Sequence, residues 1–191
     1  MILVQKTVSV KVYTWDELTK LQKELFVVAA NFRHKAQAPH SHYKVGAAVL
    51  MEGKIFGGVN VESCSWTQTT HAEQCGITSG IAKLGPNRIS NVTVIGAPET
   101  HKVILPPITA PDLRTQNYKV EDFCPSCGHC LQIIIENCFK ATGDYDPNVQ
   151  LWGYNKKGAF YQTTIGDALP MPFPPQHLGV NMAEYKKSQE N

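Results

Sequence analysis

The chain has 191 residues, is 42% hydrophobic and carries a formal net charge of +2, which suits one domain with a full core where two would be cramped. Its basic residues are scattered, apart from short pairs such as Lys156-Lys157, so no basic stripe marks a nucleic-acid partner. The N-terminal MILVQKTVSV is interrupted by Gln5, Lys6 and Thr7, which makes it neither a signal h-region nor a membrane span.

Taken in chain order, Thr14 opens a capping pattern, T-W-D-E, with Glu17 at the reciprocal position. Leu18, Leu21, Leu25, Val28, Ala29 and Phe32 then recur at three- and four-residue spacing, predicting a helix to about Ala36. AQAPHSH breaks it. YKVGAAVLM and KIFGGVNVE are β-rich runs around Glu52-Gly53, which predicts a hairpin. Thr69 or Thr70 is expected to cap a second helix running to about Leu84, ended by Gly85-Pro86. ISNVTVIGA reads as a buried strand, and residues 98–122, with Pro98, Pro106, Pro107 and Pro111, as an irregular insertion. A third helix is expected from near Cys127 through LQIIIENCF. VQLWGY and AFYQTT follow as strands, Thr164 to Leu169 as a short helix, and PMPFPP leads to a polar tail at 179–191. The order α-β-β-α-β-α-β-β predicts one three-layer α/β domain, its sheet covered on both faces. Its core spans about 14–178, with no internal repeat and no domain boundary.

Six cysteines could form a disulfide framework, but a chain of this size needs no staples. Cys124, Cys127 and Cys130 stand at C-x-x-C spacing, which in a reducing compartment reads as metal or redox chemistry. No apolar run reaches membrane length, and a cytoplasmic address is the expectation.

Cys127 and Cys130 lie three apart at one helix start, and a second helix start supplies His71. Two thiolates and one imidazole are the three protein ligands of a catalytic zinc, which keeps a fourth position open. Helix N-termini suit thiolates through their partial positive charge and free N–H groups. Zinc at +2, two thiolates and a neutral imidazole sum to zero, leaving Lewis acidity to lower the pKa of water to about 7. Glu73, two residues beyond His71, cannot share the histidine's direction on a helix, which suits a carboxylate beside the metal that moves protons. H-x-E followed by P-C-x-x-C is the pattern of the zinc nucleobase deaminases. A C-x-x-C alone is more often structural or redox-active, and a Cys124/Cys127/Cys130 trio in a zinc ribbon is the competing assignment.

Residues beyond the ligands extend the pattern. SHYKVGAA (41–48), GVNVES (58–63), HAEQCGI, CGHCLQ and TTIGDALPMPFPPQHL (163–178) resemble, in one unbroken order, the motifs of the cytidine deaminase family, the enzymes acting on free nucleosides. That resemblance implies a three-layer α/β/α fold with a mixed central sheet and one zinc ion per subunit. It implies hydrolytic deamination of cytidine and deoxycytidine in pyrimidine salvage, with Glu73 as catalytic residue. Tyr43 would lie against the pyrimidine, Asn60 and Glu62 would hold the ribose hydroxyls, and Ala72 would be a further substrate contact. Phe173 would close a neighbouring subunit's pocket in a homotetramer rather than a dimer, because the Glu62-to-His71 spacing matches the shorter single-domain members. On residue chemistry alone, Asn60 and Glu62 alternate with Val59 and Val61, facing one side of a strand as an acceptor and donor pair suited to a vicinal diol.

The departures are specific. Ser126 intervenes between Pro125 and Cys127, and Gln74 and Leu131 stand where three-thiolate members carry Arg. The latter agrees with histidine as first ligand. The insertion at 98–122 is longer than the family's connection and is expected to line the pocket mouth. Rival readings are a deaminase of another small substrate, such as an N4-modified cytidine or a nucleoside-like antibiotic, a non-enzymatic zinc module, and a polynucleotide deaminase. The last would need the cluster Arg33, His34, Lys35, His40 and His42 as its basic groove.

Overall fold

The computed structural model describes residues 2, 3, 5–107, 113, 118, 123, 125–155 and 158–189. Cys124 and, of the insertion at 98–122, residues 108–112, 114–117 and 119–122 lie outside them. Six strands, β1 (Lys11–Tyr13), β2 (Tyr43–Met51), β3 (Lys54–Val59), β4 (Ile89–Pro98), β5 (Gln150–Tyr154) and β6 (Phe160–Thr164), form one sheet in the order β1-β6-β5-β4-β2-β3. Only β4 and β5 pair in parallel; the other neighbours are antiparallel. The sheet is therefore mixed, as expected. Among the described residues the helices are α1 (Lys20–His34), α2 (Ala72–Leu84), α3 (Gly128–Glu136), α4 (Ile165–Ala168) and α5 (Met182–Ser188), with a 3-10 turn at Pro175–Leu178.

Strand alternation sorts the core into two layers. Ala48 and Leu50 of β2, Ile95 of β4, Trp152 of β5 and Phe160 of β6 meet Leu25, Phe26 and Ala29 of α1 on one face. Ala47, Val49 and Met51 of β2, with Val92, Val94 and Leu151, meet Ile77 of α2 and Leu131, Ile134 and Ile135 of α3 on the other. Two glycines allow the helices to approach. A Cβ at Gly46 would lie 2.1 Å from the Ala29 carbonyl oxygen of α1, and one at Gly58 only 2.1 Å from that of Ala72 in α2. The second contact seats the N-terminus of α2 against β3, so the sequence GVN helps to place the site.

Several boundaries differ from expectation. Thr14 does bond Glu17, its N–H and hydroxyl donating to Oε2 at 2.7 and 2.9 Å, but these bonds close a turn. The helix starts six residues later, where Thr19 and Gln22 complete a second capping box. α2 is capped at His71, not at Thr69 or Thr70: Thr70 bridges Val61, and the Thr69 hydroxyl accepts from the Ser63 N–H. α3 ends at Glu136, short of Phe139. β1 lay in a stretch assigned no element; Lys6 reaches the Gly166 carbonyl, and the Thr163 hydroxyl donates to that of Ser9, laying this segment along β6. Asn181 caps α5 within the polar tail, where no element was expected, accepting from the Ala183 and Glu184 N–H groups. The hairpin holds as predicted: Glu52 and Gly53 have φ of 47° and 73°, the pair of left-handed residues that a two-residue turn demands.

Candidate active site

The N-termini of α2 and α3 converge. His71 is the cap residue of α2 and Cys127 the cap residue of α3, with Cys130 on the first turn. One ligand-type atom from each lies within 4.8 Å of the others, and His71 Nδ1 is 3.5 Å from Cys127 Sγ. Zinc–nitrogen and zinc–sulfur bonds at a tetrahedral angle would separate such a pair by about 3.6 Å. Cys130 is fully buried. Burial, then the neighbouring Glu73 carboxylate and Cys127 sulfur, push its thiol pKa far up. A dication reverses that bias by stabilising the thiolate, so distance and donor chemistry both fit zinc.

Glu73 follows at the second position of α2, is 4% exposed and hydrogen-bonds Cys130. It stands beside the three donors rather than among them. The five cysteines among the described residues are free thiols. Of the positions where an arginine was looked for, Leu131 belongs to the core, and Gln74 Oε1 accepts the His71 N–H at a long 3.5 Å.

A cavity of about 280 Å³ opens onto this cluster, lined by Tyr43, Asn60, Glu62, His71, Ala72 and Glu73 together with Ser41, Val45, Trp66 and Thr69. The cavity thus brings together Tyr43, Asn60, Glu62, Ala72 and Glu73, all singled out from the sequence. Asn60 and Glu62 do not alternate along a strand, because β3 ends at Val59 and Val61 forms only isolated bridges. Asn60 instead braces β2: its Oδ1 accepts the Val45 N–H at 2.8 Å and its Nδ2 donates to the Tyr43 carbonyl at 3.0 Å. One amide hydrogen is left over. Glu62 accepts from the His40 and Ser41 N–H groups at 2.9 and 3.1 Å and from the Ser41 hydroxyl. Burial alone would raise its pKa; the Ser41 hydroxyl and the Ser41 and His40 N–H groups outweigh that and hold it below the usual carboxylate range.

Phe173 lies outside this cavity, 52% exposed, its carbonyl accepting from Gln132 Nε2 at 2.8 Å. The described residues of the insertion do not line the cavity either. Val103 and Leu105 pack on the α1 layer, and Phe123 meets Tyr161, with ring centroids 4.9 Å apart. The basic groove of a polynucleotide enzyme loses its leading member: Arg33 is buried, donating to the Lys44, Ala97, Pro98 and His101 carbonyls.

Three participants escaped the sequence reading. Ser41 orients Glu62. His129 sits with its ring 5.2 Å from that of His71. Trp66 lines the cavity 59% exposed at φ 58°, a costly backbone state for a bulky residue; a lone tryptophan in the polar stretch ESCSWTQTT was its only signal.

Residues 19–142 match the profile of the cytidine and deoxycytidylate deaminase zinc-binding region. A crystal structure of cytidine deaminase from Burkholderia pseudomallei aligns with a TM-score of 0.57 and 30% identity, over 82% of this chain and 100% of that one. The probable cytidine deaminase of Dictyostelium discoideum is 32% identical over 109 residues, 56% of this chain and 59% of the relative. The match therefore spans less than two thirds of that relative. The cytidine deaminase of Halalkalibacterium halodurans is 26% identical over 76% of this chain and 88% of its own length.

Proposed function

The chain belongs to the cytidine and deoxycytidylate deaminase family, and from that premise we propose that it hydrolyses cytidine and deoxycytidine to the uridine products and ammonia. His71, Cys127 and Cys130 are the ligands of one zinc ion. When bound, zinc supplies the Lewis acidity that lowers the pKa of water from 15.7 to about 7. Glu73 is the proton carrier: it takes one proton of the attacking water and passes it to N3 of the ring so that C4 becomes electrophilic. It then takes the remaining proton from the hydroxyl now on C4 and gives it to the amine, which departs as ammonia as the C4 carbonyl forms. Its burial keeps bulk water from competing for that proton.

The remaining residues hold the nucleoside. Tyr43 lies against the pyrimidine, and Ala72, at the foot of α2, bounds the base end of the cavity. The spare Nδ2 hydrogen of Asn60 and the ionised Glu62 carboxylate offer a donor and an acceptor to the ribose hydroxyls. Both are held by β2 and the Ser41 turn before substrate arrives, which reduces the cost of ordering them. Phe173 closes the pocket of a neighbouring subunit in a homotetramer; its own exposure and that of Met171 (91%) and Leu178 (71%) support an apolar surface covered by association. The setting is pyrimidine salvage in the cytoplasm: among the described residues no helix is long and apolar enough to cross a membrane, and the free thiols suit a reducing compartment.

The observation that carries this reading is a buried carboxylate against a three-donor cluster, facing a cavity that also presents Tyr43, Asn60 and Glu62. The test is Glu73→Gln. Zinc content is expected to stay at one equivalent while kcat falls by about 10³-fold or more; near-normal turnover in the zinc-loaded variant would end the mechanism.

A further inference from the structure

The far end of the sheet carries a second concave, strongly charged region. β2 runs nine residues from Tyr43 beside the catalytic cavity to Met51, about 26 Å away. Beyond Met51 two adjoining hollows share Arg88 and Phe139. The smaller, of about 240 Å³, is bounded by Arg88, Lys140, Lys186 and Lys187 over apolar walls, and no carboxylate lines it. These cations come from three separate segments: the loop before β4, the loop after α3, and α5. Lys186 and Lys187 would suit the C-terminal end of α5 in any case, but that does not account for Arg88 and Lys140.

Compensation is sparse. Glu52 is shared between Arg88 and Lys186 at 3.8 Å from each, beyond hydrogen-bond range. Lys140 and Lys187 have no carboxylate within 4.0 Å among the described residues. The site is also set in advance. Lys186 Nζ donates to Asn87 Oδ1 at 2.6 Å, and buried Asn87 is fixed in turn by donating to the Leu84 and Gly85 carbonyls. Like charges gathered in a concavity with apolar walls concentrate anions there. The larger hollow, of about 330 Å³, has the opposite character, with Ser90 and Asn148 beside Glu52 and Asp146. It would repel phosphate and accept hydroxyl and amide hydrogens.

We propose that these paired hollows bind a nucleoside polyphosphate, its phosphates among Arg88, Lys140, Lys186 and Lys187 and its sugar and base toward Ser90, Asn148 and Asp146. This inference is independent of the deaminase reading and needs only the folded chain.

Calorimetric titration of the full, zinc-loaded chain with UTP, inorganic triphosphate and uridine tests it; UTP has no amine to lose. One UTP per subunit is expected, competing with triphosphate but held more tightly, unaffected by saturating uridine, and weakened several-fold between low and moderate salt. The exposed pair Lys140→Ser/Lys187→Ser should lose at least about tenfold in UTP affinity with thermal stability and cytidine turnover unchanged. Absence of saturable UTP binding, displacement by uridine, or wild-type affinity in the double variant would overturn the site. Equal affinity for UTP and inorganic triphosphate would overturn the nucleoside half of the assignment.

Discussion

Replacing Gly58 with alanine tests whether β3 sets the position of the catalytic helix. The added Cβ would lie 2.1 Å from the Ala72 carbonyl oxygen and 2.4 Å from the Gly76 amide nitrogen. Both are backbone atoms, so no side-chain rotation relieves the clash and α2 has to withdraw by roughly 1 Å. Overpacking of this kind costs about 1–3 kcal/mol, or about 2–12 °C in Tm for a chain of this size. The functional effect is larger, because the first turn of α2 carries Glu73 and its cap is His71; a displacement of about 1 Å can cost 10²-fold in rate. The assay is the absorbance loss on cytidine, with zinc content and Tm measured on the same preparation. Gly53→Ala is the control: its φ of 73° penalises alanine by about 1–2 kcal/mol, but nothing lies within 4 Å and the turn is remote from the site, so kcat/KM should hold. A Gly58→Ala enzyme with kcat/KM within about twofold of wild type would refute the reasoning.

Three further substitutions have distinct readouts. Cys130→Ser replaces a buried sulfur with a harder, poorer zinc ligand, so zinc should fall well below one equivalent and turnover with it; full zinc retention would contradict the ligand assignment. Ser41→Ala removes a donor to ionised Glu62. Because the folded-state pKa of Glu62 is depressed, its contribution to stability and binding is full above the usual carboxylate range and lost as pH falls through the lowered value. The variant should therefore shift the acid limb of kcat/KM to higher pH, and an unmoved limb counts against the role of Ser41. Arg33→Met leaves the Lys44, Ala97, Pro98 and His101 carbonyls without their donor. It should cost about 3 kcal/mol in denaturant unfolding, and a change near zero would mean that these acceptors find other partners.

What could be read from residue order was set by local chemistry. The β2–β3 hairpin was legible to the residue because Glu52-Gly53 supplies the conformations the turn demands and apolar residues flank it. The donors His71, Cys127 and Cys130 were legible because two helix starts present them, although that they meet in space is a tertiary fact. The start of α1 was not. T-W-D-E and T-K-L-Q both satisfy the capping rule, and local pattern does not say which one continues as helix. Three-residue β1 carries too little periodicity to register and is held by pairing with β6 far along the chain, while Lys6 and Ser9 just before it bond Gly166 and Thr163, 160 and 154 residues away. Asn60 was read as a substrate contact on a strand face, whereas most of its amide is occupied in bracing β2. Side-chain bonds to distant backbone leave no trace in residue spacing.

The measurement closest to the central claim is zinc-edge X-ray absorption on the protein as purified, paired with metal analysis. One zinc per chain, with two sulfur neighbours at about 2.3 Å and two nitrogen or oxygen neighbours at about 2.0–2.1 Å, is the predicted result. Three or four sulfur neighbours, which would bring Cys124 into the shell and close the corner that water needs, would contradict it.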